Sequence, residues 1–174
     1  MPNLTIFDLD NTLLSGDSDR AWGQYIVEKQ IVSDKFLLES ENFYNSYYDG
    51  NLDIHSFLDF CLKPLMENEW SDLIELRKGF IENKIKPMIL NKAVEAVELS
   101  KSKGPVVIAT ATNSFVTRPI ADLFGIKNLI ATEFIVKDNK FTGEVDGVPC
   151  FREGKVQKVE EWVKENGYNL LDAT

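Results

Sequence analysis

The chain has 174 residues, of which 44% are hydrophobic and 27% are charged, and its formal net charge is −9. This length fits one domain with a hydrophobic core of its own, and the composition argues against a disordered chain. The acidic balance disfavours a nucleic-acid partner, because such binding depends on Lys and Arg side chains that neutralise phosphates. No apolar stretch has the length that spans a bilayer, so a membrane partner is not expected either.

The N-terminal segment MPNLTIFDLD has neither the basic start nor the apolar core of a signal peptide. Cys61 and Cys150 are the two cysteines, which is too few for a disulfide framework, so both are expected to be free thiols. These features predict a cytoplasmic protein. The sequence gives no indication of the oligomeric state.

The first predicted elements are a short strand and a long helical block. Residues 4–7 form an apolar run with the length of a buried strand. Residues 17–86 then show helical periodicity, and Pro87 marks the end of the block. The aromatic residues at 43–48 are interpreted as packing between these helices rather than as a ligand-binding surface.

The rest of the chain alternates between strands and helices. The elements predicted there are, in chain order, a helix around 90–97, a strand at 106–109, a helix at 114–124, a strand at 128–131, a hairpin at 133–136 and 140–145, and a helix around 156–163. Such alternation indicates a parallel sheet with helices on its faces. We therefore predict an α/β fold: a Rossmann-like parallel sheet core of residues 1–15 and 88–174, an inserted all-helical cap of residues 16–87, and a small β-hairpin.

Two aspartates follow the first strand directly, in the segment TIFDLDNTLL. Asp8 and Asp10 stand two positions apart, so their charges repel each other at the carboxyl end of the strand. In open α/β sheets this end carries ligand sites, and Thr110 follows another strand of the same sheet. A hard divalent cation with oxygen ligands, magnesium above all, would offset the repulsion and could share a phosphate. The simpler interpretation is that the aspartates only cap the turn, and it is weaker for a pair followed by Thr12 than for one aspartate.

The whole chain resembles the haloacid-dehalogenase-like phosphatases, in particular the phosphoserine-phosphatase-like branch that has a helical cap. The first motif of that family, strand-D-x-D-x-T, matches Asp8, Asp10 and Thr12. The second motif is a Ser or Thr after an apolar strand and matches Thr110 in VVIAT; the third is a late Lys and matches Lys155 in REGKVQK. The cap segments WGQYIVEKQIV and YYDGNLDIHSFLDF are similar to the bacterial subgroup labelled subfamily IB.

The resemblance implies different roles for the two aspartates. Asp8 would be the nucleophile that attacks phosphorus and becomes an aspartyl phosphate. Asp10 would protonate the leaving alkoxide and later deprotonate the water that cleaves the intermediate. Magnesium is the implied cofactor and would bind the Asp8 carboxylate and the Asp10 backbone carbonyl.

The resemblance also implies a set of phosphate-binding groups. Thr110 and the backbone N–H groups around Leu9 and Ala111 would hold phosphate oxygens. Lys155 would neutralise charge on the nucleophile and on the phosphoryl group. Outside the motif context, Lys155 is equally well a solvated surface lysine and Thr110 a strand-end hydroxyl.

Two departures from the family pattern bear on the metal and on the substrate. The fourth motif, an acidic pair that supplies a third magnesium ligand, has no match after Lys155, so we expect the natural protein to continue beyond residue 174. Phosphoserine phosphatases use an acid after the first motif to meet the substrate's amino group, and Asp17 stands there. Their cap Arg has no counterpart in residues 52–76, where Lys63 is the nearest cation. Phosphoserine is thus disfavoured as the substrate, and histidinol phosphate stays open by resemblance to the subgroup.

These observations predict a hydrolase, namely a magnesium-dependent phosphomonoesterase that acts on a small phosphorylated metabolite through a phosphorylated Asp8. The alternative is a non-catalytic phosphate- or metal-binding protein on the same fold. A signalling receiver that accepts phosphate on Asp8 is less favoured, because a long helical insert implies an enclosed substrate.

Overall fold

A four-stranded sheet with the strand order β1-β2-β3-β4 lies at the centre of the computed structural model, which describes residues 3–174. Its strands are β1 (Thr5–Phe7), β2 (Val106–Asn113), β3 (Asn128–Lys137) and β4 (Lys140–Asp146). The first three strands run parallel, and β4 runs antiparallel to β3. The predicted α/β class with a mainly parallel sheet is confirmed.

Between β1 and β2 the chain is helical. The helices of this insert are α1 (Ser18–Glu28), α2 (Lys35–Tyr48), α3 (Ile54–Met66), α4 (Trp70–Phe80), α5 (Lys86–Met88) and α6 (Asn91–Lys101), with a π-helical segment, Ile81–Ile85, between α4 and α5. Pro87 does not end the block, because it lies in the first turn of α5, where its missing N–H is tolerated. Within the described residues, no helix is both long enough and apolar enough to cross a membrane.

The second half of the chain adds two longer helices, α7 (Ser114–Leu123) and α8 (Glu153–Glu165), around the sheet. The strand and the first hairpin arm that were predicted separately here form one continuous strand, β3. Thr132 lies at the predicted break but is fully buried, and its hydroxyl donates to the Ala111 carbonyl. The strand therefore passes without a turn from parallel pairing with β2 to antiparallel pairing with β4.

Two hydrophobic clusters hold these layers together. The larger one joins the helical insert to one face of the sheet; in it the Trp22 and Phe80 rings meet edge-to-face, with their centroids 5.2 Å apart. The smaller one includes Val107, Ile130 and Val163 and packs α8 on the opposite face. Because α1 contributes to the larger cluster, its N-terminus is fixed beside the carboxyl end of β1.

Candidate active site

The turn after β1 sends its side chains in two directions. Leu9 is completely buried, whereas its neighbours Asp8 and Asp10 both face the cavity above the sheet. The Leu9 carbonyl accepts the backbone N–H groups of Leu13 and Leu14 at 2.9 and 3.1 Å, so it closes the turn into a compact loop. The alternation of an extended chain thus uses Leu9 as an anchor and leaves the two carboxylates at the sheet edge.

Asp8 is paired with Lys155 from the first turn of α8. The Lys155 Nζ donates to Asp8 Oδ1 at 2.6 Å, and the two side chains are 32% and 44% exposed. This is the distance of a charge-assisted hydrogen bond. The structure therefore places side by side the two groups that were predicted to act as the nucleophile and the charge neutraliser.

Asp10 accepts hydrogen bonds from two elements. The Ser18 backbone N–H, at the start of α1, donates to Oδ1 at 2.6 Å. The hydroxyls of Thr112 and Thr110 both donate to Oδ2, at 3.0 and 3.3 Å. A helix N-terminus and two hydroxyls thus fix the carboxyl group of Asp10 in one orientation.

The predicted phosphate ligands Thr110 and Ala111 occupy different positions. Thr110 is completely buried; its hydroxyl is directed at Asp10 and accepts the Thr112 N–H at 3.2 Å. Ala111 and Thr112 line the cavity. The predicted phosphate contact of Thr110 stays a prediction, and Thr112 is a site residue that the sequence reasoning missed. The T-A-T pattern contained the signal, because residues two apart on a strand share a face.

The cavity, called the central cavity below, extends from the sheet edge into the helical insert. Its volume is about 800 Å³. One end carries Asp8, Asp10 and Lys155, and the cap end carries side chains of α1, α2 and α3. The interpretation of the aromatic stripe as packing alone is incomplete, because Tyr44 and Tyr47 line this cavity. Their periodicity on α2 could not show that one face of the helix borders a space rather than another helix.

Two further aspartates line the central cavity beside Asp10. Asp17 caps α1 by accepting the Arg20 N–H at 2.8 Å, and burial together with the Asp10 charge raises its pKa to about 6. Burial, followed by the charges of Asp17 and Asp10, raises the pKa of Asp19 to about 7. The Tyr44 hydroxyl donates to Asp19 at 3.2 Å and opposes this rise. The wall between the two ends is therefore strongly acidic.

Arg152 is a second site residue without a sequence signal. It precedes α8 in a left-handed conformation, with φ 48°, and lines the central cavity. Its Nη1 donates to the Gly50 carbonyl of the insert at 3.3 Å. Since 102 residues separate the two partners, only the folded chain brings them together.

The metal ligands can be examined within residues 3–174. In that range no three His, Cys, Asp or Glu side chains are grouped so as to hold a metal ion. The donor set nevertheless has the right chemistry for a hard cation, because Asp8 and Asp10 bring carboxylate oxygens to one end of the central cavity.

Comparison with known proteins identifies the family of this site. A family model described as haloacid dehalogenase-like hydrolase matches residues 5–174. The chain belongs to the haloacid dehalogenase-like hydrolase family. Both the family resemblance and the prediction of a hydrolase are thereby confirmed, and relatives that carry phosphatase names support an enzyme of the phosphatase kind.

Two curated relatives of this hydrolase illustrate the range. The chain is 38% identical over 173 residues to a histidinol-phosphatase of Neisseria meningitidis serogroup C (strain 8013), covering 98% of the chain and 78% of that protein. It is 28% identical over 170 residues to a probable phosphatase of Mycobacterium tuberculosis (strain H37Rv), covering 94% of the chain. The chain spans 58% of the length of this mycobacterial relative.

Solved structures agree on the fold. A protein of unknown function from Bordetella pertussis Tohama I superimposes with a TM-score of 0.90 at 32% identity, over 100% of this chain and 80% of that one. A substrate-bound phosphoserine phosphatase superimposes with a TM-score of 0.67 at 22% identity, over 99% of this chain and 76% of that one. The second likeness shows a shared fold.

Proposed function

We propose that this hydrolase is a magnesium-dependent phosphomonoesterase that cleaves a small phosphorylated metabolite through a phosphorylated Asp8. The observation that carries the proposal is the Asp8–Lys155 contact of 2.6 Å at the floor of a cavity that also contains Asp10. A carboxylate nucleophile, a cation beside it and a second carboxyl group for proton transfer are the parts that phosphoryl transfer needs.

In the first step an Asp8 carboxylate oxygen attacks phosphorus, and the bond from phosphorus to the ester oxygen breaks. Asp10, in its protonated form, gives its proton to that oxygen, so the alcohol leaves neutral. In the second step Asp10 takes a proton from a water molecule that attacks the aspartyl phosphate, and inorganic phosphate leaves. The hydroxyls of Thr110 and Thr112 and the Ser18 N–H hold Asp10 in place for both transfers.

Magnesium fits the oxygen donors at this end of the central cavity. We assign the Asp8 carboxylate and the Asp10 backbone carbonyl as its ligands in this chain. When bound, the ion supplies positive charge that offsets the repulsion between the aspartates and the phosphate. Lys155 contributes a second positive charge at Asp8 Oδ1.

The proposal assigns a separate role to each part of the chain. Residues 1–15 and 88–174 form the catalytic core, and residues 16–87 form a cap over it. The support is that the central cavity is lined both by the sheet-end residues Asp8 and Lys155 and by cap residues such as Tyr44 and Phe57. Both cysteines are free thiols, which fits the reducing cytoplasm expected from the sequence.

The substrate class is a small phosphomonoester. A cavity of about 800 Å³ has the size of small-molecule sites. The 38% identity to a histidinol-phosphatase makes histidinol phosphate the first candidate to test. Phosphoserine is disfavoured, because residues 52–76 contain no Arg for its carboxylate.

The test is a hydrolysis screen over small phosphomonoesters, including histidinol phosphate and phosphoserine, with and without magnesium. We expect magnesium-dependent release of inorganic phosphate and trapping of the label on Asp8. Binding of phosphate without turnover of any ester would favour the non-catalytic alternative instead.

A further inference from the structure

The cap end of the central cavity is built around one carboxyl group. Asp19 lies in the first turn of α1, and its Oδ2 meets the Tyr44 hydroxyl of α2 at 3.2 Å and the Cys61 thiol of α3 at 4.0 Å. Three helices thus converge on this side chain, which also lines the cavity. Burial holds the Cys61 thiol protonated by raising its pKa, so it adds no charge of its own.

Asp19 has no cationic partner among the described residues that surround it. Its neighbour Arg20 pairs with Glu41 and lies over the Tyr44 ring, 4.8 Å from the centroid. In the described part of the cavity wall the cations are Lys155, which pairs with Asp8, and Arg152, which donates to a carbonyl of the insert. A buried carboxylate without a counter-charge is costly, which is why its pKa rises.

Asp17 does not offer the same opportunity. Its Oδ1 accepts the Arg20 N–H and so caps α1. Asp19 has no such capping role, and the one oxygen that is hydrogen-bonded, Oδ2, receives the Tyr44 hydroxyl from the cap side.

The walls around Asp19 are aromatic. Tyr44, Tyr47, Tyr48 and Phe57 all line the central cavity. Aromatic faces carry negative potential and attract ammonium and imidazolium groups, while their edges exclude water. A desolvated carboxyl group within aromatic walls is the arrangement that recognises an organic cation.

We propose that Asp19, held by Tyr44, binds a protonated nitrogen of the substrate and makes the enzyme selective for phosphomonoesters of amino alcohols. The inference rests on the proposed function, since it places the phosphate at the Asp8 and Lys155 end and the cation at the cap end. One molecule then neutralises both unlike ends of the central cavity. Phosphate esters without a cation leave Asp19 uncompensated and bind less tightly.

The experiment compares two esters that differ in a single group, 4-aminobutyl phosphate and pentyl phosphate, whose chains end in an ammonium and a methyl group. Asp19→Asn is expected to lower kcat/KM for the amino ester roughly 10- to 100-fold, the value of a lost charge-assisted hydrogen bond. For pentyl phosphate the expected change is less than about threefold. Tyr44→Phe is expected to shift the same ratio in the same direction by a smaller factor, and Asp19→Glu is expected to restore part of it.

Asp59→Asn is the matched control, because Asp59 is an exposed cap residue and its substitution removes the same charge. Equal effects of Asp19→Asn on both esters, or no effect on either, would overturn the inference. The proposed function is tested separately by Asp8→Asn with pentyl phosphate. If the wild type cleaves neither ester, calorimetric binding of the two esters still decides, because the inference requires Asp19-dependent preference for the amino ester.

Discussion

The two ends of the central cavity treat their carboxyl groups differently. At the sheet end, Asp8 has Lys155 at 2.6 Å and Asp10 has three hydrogen-bond donors. At the cap end, Asp19 has a tyrosine hydroxyl and no cation among the described residues, and its pKa is raised to about 7. The sheet end is thus organised before a substrate arrives, whereas the cap end gains its counter-charge only from a ligand.

This difference separates chemistry from selection. Groups that must act on phosphorus need fixed positions, and rigid strand ends and helix N-termini supply them. A group that selects among substrates gains discrimination when it is left unsatisfied by the wrong one. Substitutions at the two ends should therefore have different signatures.

The largest effect is expected at Asp8. Asp8→Asn removes the nucleophile and should lower kcat by about 10⁴-fold or more, while the fold survives because the side chain is exposed. Phosphate release and circular dichroism measure the two outcomes. Turnover near the wild-type rate in a folded variant would contradict the role of Asp8 and leave no distinction between the ends.

Lys155→Met should have the next largest effect. It removes the cation from Asp8 Oδ1 and should lower kcat/KM by about 10²- to 10³-fold for every phosphate ester, whether or not the ester carries a cation. Lys164→Met is the control, since Lys164 is exposed in the last turn of the same helix. A loss confined to cationic esters would place Lys155 in selection rather than in chemistry.

The stability of the cap end should depend on pH. The pKa of Asp19 rises from its ordinary value of 3.8 to about 7 on folding, so the folded state retains a proton that the unfolded state loses. Between about pH 4 and pH 7 the free energy of unfolding should therefore fall as pH rises, by up to about 1.4 kcal/mol per pH unit at its steepest. Asp17, whose pKa is about 6, adds to the slope in the same direction.

Urea unfolding in EDTA checks this dependence in the wild type and in Asp19→Asn. The stability advantage of the variant should grow from pH 4 to pH 7 and then level off. Asp10, Asp17, Tyr44 and Cys61 face Asp19 and are retained in the variant, so the difference isolates its titration. A constant difference across this range would show that Asp19 ionises normally in the folded protein.

The smallest effect is expected under the sheet end. Thr110→Val removes the acceptor of the buried Thr112 N–H and should lower the free energy of unfolding by about 1–3 kcal/mol. Thr110→Ser keeps the hydroxyl and serves as the matched control. Thr112→Val should affect stability less and activity more, because Thr112 borders the central cavity. A reversed pattern would make Thr110 the phosphate ligand.

Much of the fold was predictable because its signals are local. Apolar runs of strand length and helical periodicity gave the α/β class and the position of the insert. The break predicted near Thr132 was wrong, because polar residues there were interpreted as a turn although Thr132 satisfies its hydroxyl inside the core. Composition cannot distinguish a polar residue in a turn from one with a buried partner.

The candidate site was predictable to the extent that its residues belong to motifs. Asp8, Asp10 and Lys155 are motif residues, and the structure places all three in one cavity. Asp19 and Thr112 belong to no motif that the sequence reasoning used. Their positions depend on partners far away along the chain, and such pairings have no local signature.

The sequence by itself determined the residues at the sheet end, because two aspartates after a short strand have a fixed geometry that follows from the extended backbone. Only the tertiary structure decided what those residues face. Lys155 reaches Asp8 across 147 positions, Thr112 reaches Asp10 across 102, and Cys61 approaches Asp19 across 42. These separations are closed by the packing of α1 and α8 on opposite faces of the sheet, where burial also sets the charge state of the cap-end carboxyl groups.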